Sequence, residues 1–452
     1  MKIAVLGSGE SGVGAALLAR AKGYDVFVSD MGEIKPQYRH QLEQAGISFE
    51  EGTHTASRIL DAAEIVKSPG IPDTAPLIKE AYARQIPVVS EIEFAARFSK
   101  AKFVCITGTN GKTTTTLLTY HLLKSAGLKV GLAGNIGESL AKQVIEDEFD
   151  YYVLELSSFQ LDNMYRFRAD IAVLLNITPD HLDRYDYQME KYALSKLRIT
   201  QNQRPEDHFI YNLEDQNIFQ YFKPAVFAGK TIPFSLEKKA HSQAWFEGEN
   251  MILGFSPGKP TVSAGNSPLI GKHNQYNTLA AVSVAKLLGI SEAEIEAALA
   301  TFKNAEHRLQ SIGEANGVTY INDSKATNVE AVYFALEGIK QPIVWIAGGV
   351  DKGNDYEVLK PFAKEKIKAL ICLGKENEKL KTSFGGLIPE VRETQSVEEA
   401  VEMAKQLARP GDVVLLSPAC ASFDLFNNYE HRGNRFMEAV QEIAFFKGVR
   451  SE

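Results

Sequence analysis

Short apolar runs of strand length alternate with stretches of helical periodicity in the first hundred residues. The runs are Lys2 to Leu6, Asp25 to Ser29, Ile65 to Lys67 and Pro87 to Val89. The segment from Val13 to Lys22, between the first two runs, has the periodicity of a helix that Gly23 can end. Because strands that alternate with helices are typical of a parallel sheet, the pattern predicts a first α/β domain over residues 1–97.

A second predicted domain, residues 98–304, opens with a strand from Phe103 to Thr107 and a helix from Lys112 to Ser125. Tyr151 to Leu156 and Ile171 to Leu175 are nearly continuous apolar runs, which indicate strands covered on both faces of a parallel sheet. Later features of this domain are a hairpin from Ala244 to Leu253, a helix from Lys272 to Ile290 and a capping box of Ser291 with Glu294.

The third predicted domain, residues 305–452, repeats the alternation of strands and helices. Its predicted strands are Val318 to Asn322, Ile343 to Ala347, Ala369 to Leu373 and Val413 to Leu416. We expect another parallel sheet here, and the predicted fold class of the chain is α/β with three domains.

Composition narrows the class of protein. The chain has 452 residues, 44% of them hydrophobic and 23% charged, which excludes wholesale disorder. Its net charge of −8 argues against binding nucleic acid through bulk charge. The three cysteines, Cys105, Cys372 and Cys420, are far apart in the sequence, as expected for core residues in a reducing compartment. Since no apolar stretch approaches the roughly 20 residues of a membrane span, the predicted location is the cytoplasm.

The strongest chemical signal is the run Thr107-Gly108-Thr109-Asn110-Gly111-Lys112-Thr113-Thr114, between a predicted strand and a predicted helix. Backbone N–H groups of such a turn and the helix N-terminus bind phosphate, a lysine adds charge and a hydroxyl can reach Mg²⁺. We therefore predict phosphate binding here. The run departs from a standard Walker A motif, because Ile106 stands where that motif has its first glycine. A glycine turn that only caps a helix is the alternative.

Two further polar residues follow predicted strands. Glu155 stands at the end of a buried run, where parallel sheets place ligand groups, and its carboxylate could bind the phosphate-bound Mg²⁺. His181 lies just past the run Ile171 to Leu175, which suits a metal or substrate role. An exposed strand-end acid and an ordinary surface histidine are the alternatives.

The glycines Gly7, Gly9 and Gly12, with Asp30 after the second strand, match a dinucleotide-binding fingerprint. A complete nicotinamide site needs two mononucleotide halves, whereas the predicted first domain ends at residue 97. We therefore interpret the motif as half a site, for one nucleoside diphosphate. A nicotinamide-dependent oxidoreductase and a purely structural glycine turn are the alternatives.

Ordered motifs over nearly the whole chain resemble those of the Mur ligases, ATP-dependent amide ligases of peptidoglycan precursor synthesis. The motifs are Gly108 to Thr114, Gly134-Asn135-Ile136-Gly137, Glu155 to Leu161, Asp180 to Arg184, His273-Asn274 with Asn277, His307-Arg308, Asn322 to Asn328 and Ser417 to Ser422. Glu155 to Leu161 and Asn322 to Asn328 are most similar to the D-glutamate-adding members of the family. The Asp-Asn-Pro-Arg run of the diaminopimelate-adding members does not occur in the sequence.

The resemblance implies three domains: a Rossmann-like N-terminal domain for the UDP substrate, a central parallel sheet similar to P-loop ATPases, and a Rossmann-like C-terminal domain for the amino acid. It implies an ATP-dependent ligase that adds D-glutamate to UDP-N-acetylmuramoyl-L-alanine through an acyl phosphate, with two Mg²⁺ ions. We expect a monomer. Another Mur-type or folylpolyglutamate-type ligase is the nearest alternative.

The resemblance also implies roles for individual residues. Implied ATP contacts are Gly108, Thr109, Asn110, Gly111, Lys112, Thr113, Thr114, Asn274, Arg308 and Asp323. Implied contacts to the UDP substrate are Ser11, Gly12, Asp30, Gly70, Asn135, Ser157 and His181. Implied contacts to D-glutamate are Lys325, Thr327, Lys352, Ser422, Phe423 and Tyr429. The implied catalytic residues are Lys112, Glu155, His181 and Lys196, and the implied metal ligands are Thr113, Glu155, His181 and Lys196.

Lys196 matches the lysine that Mur ligases carry as a CO₂-derived carbamate. A carbamate there would be an anionic oxygen ligand able, with His181, to hold a second Mg²⁺. An ordinary solvated helix lysine is the alternative.

Two positions depart from the family pattern. Met31-Gly32 follows Asp30 where some members have a polar and a basic residue. Tyr429, beside the implied D-glutamate site, is a milder change.

Overall fold

This computed structural model describes residues 1–269, 271–443 and 447–448. The strands within these residues form three sheets. The chain divides into two compact units, Met1–Pro268 with Asn274–Phe302 and Leu269–His273 with Lys303–Glu452. The first two sheets lie in the first unit and the third sheet lies in the second. The domain boundaries after residues 97 and 304 stay predictions; Ile270, 444–446 and 449–452, which belong to the predicted second and third domains, lie outside the described residues.

The first sheet has five parallel strands in the order β3-β2-β1-β4-β5. They are β1 (Lys2–Leu6), β2 (Asp25–Asp30), β3 (Ser48–Glu51), β4 (Glu64–Lys67) and β5 (Val88–Val89). The helices between and after them are α1 (Glu10–Ala21), α2 (Pro36–Gln44), α3 (Ala56–Ile59), α4 (Pro76–Ala83) and α5 (Glu91–Ala96). Helix α1 begins at Glu10 rather than at Val13, so Ser11 and Gly12 lie in its first turn and not in the preceding loop.

The second sheet has the order β14-β13-β12-β11-β10-β9-β6-β8-β7. Its strands are β6 (Lys102–Thr107), β7 (Val130–Gly134), β8 (Tyr151–Glu155), β9 (Ile171–Leu174), β10 (His208–Asn212), β11 (Lys230–Phe234), β12 (Ala244–Glu247), β13 (Asn250–Leu253) and β14 (Thr261–Ser263). The pairs from β7 to β12 are parallel, as predicted, and β12, β13 and β14 are antiparallel. The predicted hairpin across Gly248 is therefore confirmed and extends the parallel sheet at one edge.

The helices of this region include α6, which has the predicted bounds. They are α6 (Lys112–Ser125), α7 (Leu140–Glu146), α8 (Ser158–Asp162), α9 (Met189–Leu197), α10 (Gln216–Tyr221), α11 (Lys272–Leu287) and α12 (Glu292–Thr301), with short 3₁₀ helices at Leu182–Tyr185, Arg198–Thr200 and Pro224–Val226. The capping box predicted for Ser291 and Glu294 is confirmed at the start of α12.

The third sheet has the order β19-β18-β17-β20-β16-β15-β21. Its elements are β15 (Gln310–Ala315), β16 (Val318–Asn322), α13 (Val329–Gly338), β17 (Ile343–Ala347), a 3₁₀ helix (Glu357–Leu359), α14 (Lys360–Glu365), β18 (Ile367–Leu373), α15 (Glu378–Phe384), β19 (Glu390–Thr394), α16 (Val397–Leu407), β20 (Val413–Leu416), α17 (Tyr429–Gln441) and β21 (Lys447–Gly448). The sheet is parallel from β19 to β16, as predicted. At its other edge β15 is antiparallel to β16, because only Asn316 and Gly317, both with positive φ, connect the two strands.

Side chains from both faces of the sheets are buried, which explains the continuous apolar runs. In β1, Ile3 and Val5 pack in one apolar cluster, whereas Ala4 and Leu6 pack in another. Cys105, Cys372 and Cys420 are buried and free, as predicted for core residues. None of the described helices combines the length and the apolar character that crossing a membrane requires.

Candidate phosphate-transfer site

The turn from Gly108 to Gly111 connects β6 to α6 and has little free space. Gly111 has a φ of +83°, and a Cβ there would lie 2.3 Å from Asn277 Oδ1. Asn277 in turn donates to Asn274 Oδ1 over 3.1 Å. The structure thus brings Asn274, which the resemblance implies as an ATP contact, beside the predicted phosphate turn by way of Asn277.

Asn176, which follows β9, anchors the same turn. Its Oδ1 accepts the Asn110 N–H over 2.8 Å, its Nδ2 donates to the Asn110 carbonyl over 3.0 Å, and its carbonyl accepts the Thr109 N–H over 3.0 Å. The Thr109 hydroxyl also donates to the Thr178 carbonyl over 3.1 Å. These bonds hold the backbone of the turn at Thr109 and Asn110 in one conformation. Our sequence analysis missed Asn176, although its position directly after a buried strand was a usable signal.

Two lysine side chains converge on the carbonyl oxygen of Gly108. Lys112 Nζ donates to it over 2.9 Å and to the Thr109 carbonyl over 2.7 Å, and Lys196 Nζ donates to it over 2.8 Å. Lys196 is 1% exposed, so it is not the solvated helix lysine that was the alternative. Burial, and then the charge of Lys112, lower the pKa of Lys196 well below its usual value.

Glu155, the last residue of β8, is 1% exposed and lies beside the phosphate turn. Its Oε1 accepts a hydrogen bond from Asn135 Nδ2 over 2.7 Å, and its Oε2 is buried with no hydrogen-bond partner among the described residues. A buried carboxylate oxygen without a partner is costly unless a ligand satisfies it. The predicted role of Glu155 as a ligand group thus has a physical basis, and Asn135 contacts Glu155 in this structure.

The oxygen atoms beside the phosphate turn are of the kind that binds Mg²⁺. Thr113 and Glu155 supply the oxygen atoms that Mg²⁺ prefers, and Mg²⁺ commonly completes its coordination with substrate phosphates and water. No cluster of three or more His, Cys, Asp or Glu side chains among the described residues could hold a metal ion by itself. The residues therefore fit a Mg²⁺ ion that arrives with a phosphate ligand.

His181 lies beyond β9 with a φ of +50° and precedes the first 3₁₀ helix. Its side chain is 46% exposed, and its ring contacts the Phe159 ring at a centroid distance of 5.2 Å. The guanidinium of Arg184, three residues later, also lies over the Phe159 ring, 4.4 Å from its centroid, and it donates to the carbonyls of Pro69 and Gly70 over 3.4 Å. Arg184 therefore links the His181 segment to the loop after β4. Our sequence analysis named Arg184 only as the end of the Asp180 to Arg184 motif, without this role.

A cavity of about 410 Å³ opens at the carboxyl ends of the first sheet. It is lined in part by Gly7, Asp30, Met31, His54 and Gly70. The structure thus brings together Gly7 and Asp30 of the fingerprint, and it adds Gly70, which only the resemblance implies as a contact to the UDP substrate. Asp30 Oδ2 accepts from the Ser8 N–H over 2.6 Å and from its hydroxyl over 2.7 Å, which steadies the glycine turn.

The remaining residues implied for the UDP substrate have structural contacts. Gly12 packs so closely on the turn that a Cβ would lie 1.9 Å from the Gly7 carbonyl oxygen. Ser11 is its neighbour in the first turn of α1. Ser157 caps α8 through a capping box with Gln160.

In the second unit, Asp323 follows β16 and is buried. Its Oδ2 accepts from the Ser417 hydroxyl over 2.8 Å and its Oδ1 from the Leu309 N–H over 3.1 Å. Burial raises the pKa of Asp323 to about 7. Asp323 therefore ties the Arg308–Leu309 segment to the loop after β20.

Five of the six residues implied for D-glutamate lie on loops at the carboxyl ends of β16, β17 and β20, and the sixth, Tyr429, is the first residue of α17. Lys325 lies over the Tyr429 ring, with Nζ 5.0 Å from the centroid. Thr327 is in the same loop as Lys325, and Ser422 is buried, whereas Phe423 and Lys352 are exposed. The structure brings Lys325 and Tyr429 into contact.

Arg432 of α17 connects these three loops and was missed in the sequence. It is 1% exposed, and its guanidinium donates to Ser324 Oγ (3.0 Å), the Ser324 carbonyl (2.9 Å), and the Gly348 and Cys420 carbonyls (both 3.3 Å). Its position on the same helical stripe as the buried Phe436 and Val440 was a signal for this role.

The fold and the Gly108–Gly111 turn together define an α/β protein in which a glycine turn joins a buried parallel strand to a helix, an arrangement typical of phosphate-binding proteins. Three family models match it: "Mur ligase MurD-like, N-terminal domain" at residues 1–90, "Mur ligase middle domain" at 106–285 and "Mur ligase, glutamate ligase domain" at 307–420. The chain therefore belongs to the Mur ligase family.

Individual relatives agree with this assignment. The UDP-N-acetylmuramoylalanine–D-glutamate ligase of Christiangramia forsetii is 51% identical to this chain, and the match covers 98% of this chain and 99% of that protein. The protein of the same name from Porphyromonas gingivalis (strain W83) is 53% identical, and the match covers 98% of both chains. Among solved structures, the UDP-N-acetylmuramate-alanine ligase of Thermotoga maritima matches with a TM-score of 0.63 and 19% identity over 98% of this chain and 99% of that one. This last likeness confirms the fold.

Proposed function

We propose that this chain is an ATP-dependent ligase that joins D-glutamate to UDP-N-acetylmuramoyl-L-alanine in peptidoglycan precursor synthesis. The observation that carries the proposal is the identity of 51% and 53%, over nearly the full length of both partners, to two ligases of that name. Folylpolyglutamate-type and nicotinamide-dependent alternatives are not favoured, because a match of this extent covers all three sheets.

The chemistry explains why a phosphate turn is needed. A carboxylate accepts an amine poorly, so the terminal carboxylate of the substrate is first converted to an acyl phosphate by ATP. Carboxylate and γ-phosphate are both anions, and two unit charges at about 4 Å repel by about 4 kcal/mol at an effective dielectric constant near 20. The site must therefore supply positive charge where the two groups meet.

Lys112 is the residue of this chain that we assign to that task. We propose that its ammonium lies at the β- and γ-phosphates of ATP, where it neutralises charge that builds in the transition state. The Thr113 hydroxyl and the unpartnered Oε2 of Glu155 would hold Mg²⁺, which when bound screens the phosphate charge. Asn135 orients the Glu155 carboxylate through its hydrogen bond to Oε1.

We further propose that Lys196 carries a carbamate and, with His181, holds a second Mg²⁺. Carbamate formation requires a neutral amine to attack CO₂, with a proton then lost from the nitrogen, and the burial that lowers the pKa of Lys196 favours this neutral form. The same attack by the protonated ammonium is impossible, because its lone pair is occupied.

Contacts to the three substrates are proposed residue by residue. ATP is assigned to Gly108 through Thr114, Asn274, Arg308 and Asp323. The UDP substrate is assigned to Ser11, Gly12, Asp30, Gly70, Asn135, Ser157 and His181, and D-glutamate to Lys325, Thr327, Lys352, Ser422, Phe423 and Tyr429. We also propose that His181, besides holding metal, assists proton loss from the attacking amine. We propose that the domains 1–97, 98–304 and 305–452 each contribute one substrate site, and that the enzyme is a cytoplasmic monomer.

Phosphate release tests the proposal directly. The protein is incubated with ATP, Mg²⁺ and UDP-N-acetylmuramoyl-L-alanine against a panel of D- and L-amino acids, and release is expected with D-glutamate. Lys112→Ala should lower this rate by at least about 100-fold, since it removes a charge that acts in the transition state. Lys124→Ala, at the exposed end of α6, should leave the rate unchanged. Release with another amino acid, or with none, contradicts the proposed specificity.

A further inference from the structure

A basic cavity lies at the amino ends of β6 and β9, which is the edge of the second sheet opposite to the phosphate turn. Its volume is about 440 Å³, and it is formed by the last turn of α5, the 97–102 connection and the 166–170 segment before β9. The aromatic rings of Phe103 and Phe167, 5.2 Å apart, form part of its wall. Nothing in the phosphate-transfer chemistry uses this cavity.

Five cationic side chains line the basic cavity, against two carboxylates. The cations are Arg97, Lys100, Lys102, Arg166 and Arg168. The carboxylates are already engaged by the fold: Glu93, 2% exposed, accepts the N–H groups of Tyr165, Arg166 and Phe167, and Asp170 accepts the Phe103 N–H and pairs with Arg168. The excess positive charge occurs in a chain whose net charge is −8.

Two of the five cations are committed to ion pairs. Arg97 binds both oxygens of Glu64 over 2.8 Å, and Arg168 pairs with Asp207 over 3.2 Å in addition to Asp170. The side chains of Lys100, Lys102 and Arg166 have no carboxylate within 4.0 Å in the described part of the chain. Three like charges around one concave surface repel one another, and a bound anion would relieve that repulsion.

We propose that the basic cavity is a second anion site, which binds a small polyphosphate group through Lys100, Lys102 and Arg166. Arg forms paired hydrogen bonds with phosphate and Lys binds it as a point charge, so this set suits a linear di- or triphosphate. An open cavity of about 440 Å³ fits a small molecule, whereas the negative net charge of the chain opposes an extended nucleic acid or an anionic membrane surface. The inference does not depend on the ligase activity.

Lysine acetylation read by mass spectrometry tests the site, because it reports on Lys100 and Lys102 and not on the phosphate turn. The full-length protein is treated with a water-soluble acetylating reagent at about 0.15 M ionic strength, with and without tripolyphosphate. When the tripolyphosphate concentration is four times its dissociation constant, about one fifth of the sites are unoccupied. We therefore expect acetylation of Lys100 and Lys102 to be about fivefold slower. Lys79, an exposed lysine without an ion pair to a described residue, should react at the same rate in both samples.

The Arg166→Ala variant separates a built site from charge screening. It keeps both reporter lysines, and its protection by tripolyphosphate should fall to less than about half of the wild-type value, since one of three cations is lost. Equal acetylation rates with and without tripolyphosphate would overturn the proposal, as would equal protection of Lys79 or full protection in Arg166→Ala. A parallel sample with ADP distinguishes the diphosphate group of a nucleotide from free polyphosphate. If ADP protects Lys100 and Lys102 from acetylation at a similar concentration, the ligand of the site is a nucleotide.

Discussion

Lys112 and Lys196 donate hydrogen bonds to the same acceptor, the carbonyl oxygen of Gly108. Two ammonium groups on one oxygen repel each other, so the pair is most stable when one of them is neutral. Lys196 is the one with the lowered pKa, because it is fully buried and Lys112 adds to the effect. Burial and the neighbouring charge of Lys112 thus favour the neutral amine at Lys196, which is the form that carbamate formation requires.

Replacing Lys196 therefore tests the proposed carbamate. Lys196→Ala should lower the rate of phosphate release by about 100-fold, and formate, a small carboxylate, should restore part of it by occupying the same space. The matched control is Lys191→Ala on the same helix, where the exposed lysine pairs with Asp186 and no loss is expected. Full activity of Lys196→Ala without any additive contradicts the carbamate.

Gly111 and Gly127 form a natural pair for testing the phosphate turn. Both have positive φ, +83° and +80°, so an alanine at either position incurs a similar backbone strain of about 1 kcal/mol. Only at Gly111 would the new Cβ meet a neighbour, Asn277 Oδ1 at 2.3 Å, whereas Gly127 has open space. Gly111→Ala should raise the KM for ATP by about tenfold or more, and Gly127→Ala should leave it unchanged. Equal KM values for the two variants would show that the turn tolerates displacement.

The parallel strands of the three sheets were largely predictable from the sequence, because strands buried on both faces are continuous apolar runs. β16, β17 and β20 have the predicted bounds. Edge strands such as β3, with the sequence Ser-Phe-Glu-Glu, were missed, since one side of an edge strand has no partner and its side chains are half-exposed. β7 was missed because its glycines interrupt the apolar pattern.

At the site, the phosphate turn and Glu155 were predictable because their residue types follow a strand locally. Asn176 and Arg432 were not, since each acts through contacts to segments far away in the sequence: Asn176 to Asn110, and Arg432 to Ser324 and Gly348. The burial of Lys196 could not be predicted from the sequence either, because its neighbours on α9 include the exposed residues Lys191 and Leu194. Polar residues that support a site carry no local signature of that role.

Arg432 offers a test of how the loops of the second unit are held. Arg432→Met should lower the free energy of unfolding by about 3 kcal/mol, because it leaves buried carbonyl oxygens of three loops without a donor. It should also raise the KM for D-glutamate more than the KM for UDP-N-acetylmuramoyl-L-alanine. The control, Arg435→Met, removes an exposed side chain of the same helix that pairs with Glu398 and Glu438, and its effect should stay within about 0.5 kcal/mol. Similar urea midpoints for the two variants contradict the assignment.

Glu91 is a fully buried carboxylate at the start of α5. Its Oε1 accepts from the Ser139 hydroxyl and from the Ala141 N–H, both over 2.7 Å, and its Oε2 has no hydrogen-bond partner among the described residues. Burial raises its pKa to about 7, and the nearby Glu10 adds to the effect, whereas the two hydrogen bonds oppose it. Glu91 thereby connects the first sheet region to the segment that follows Asn135.

The raised pKa of Glu91 makes the stability of the first unit depend on pH. Between the ordinary pKa of 4.5 and about 7, the folded protein holds a proton that the unfolded chain has lost, so the free energy of unfolding falls as the pH rises through this range. The contribution of Glu91 to this fall is on the order of 3 kcal/mol, since each unit of pKa corresponds to about 1.4 kcal/mol. Glu91→Gln cannot titrate and should flatten the slope, measured by urea unfolding at several pH values across that range. Glu80→Gln, which alters an exposed pair with Arg84, should keep the wild-type slope. If Glu91→Gln keeps the wild-type slope as well, the buried carboxylate is not the titrating group.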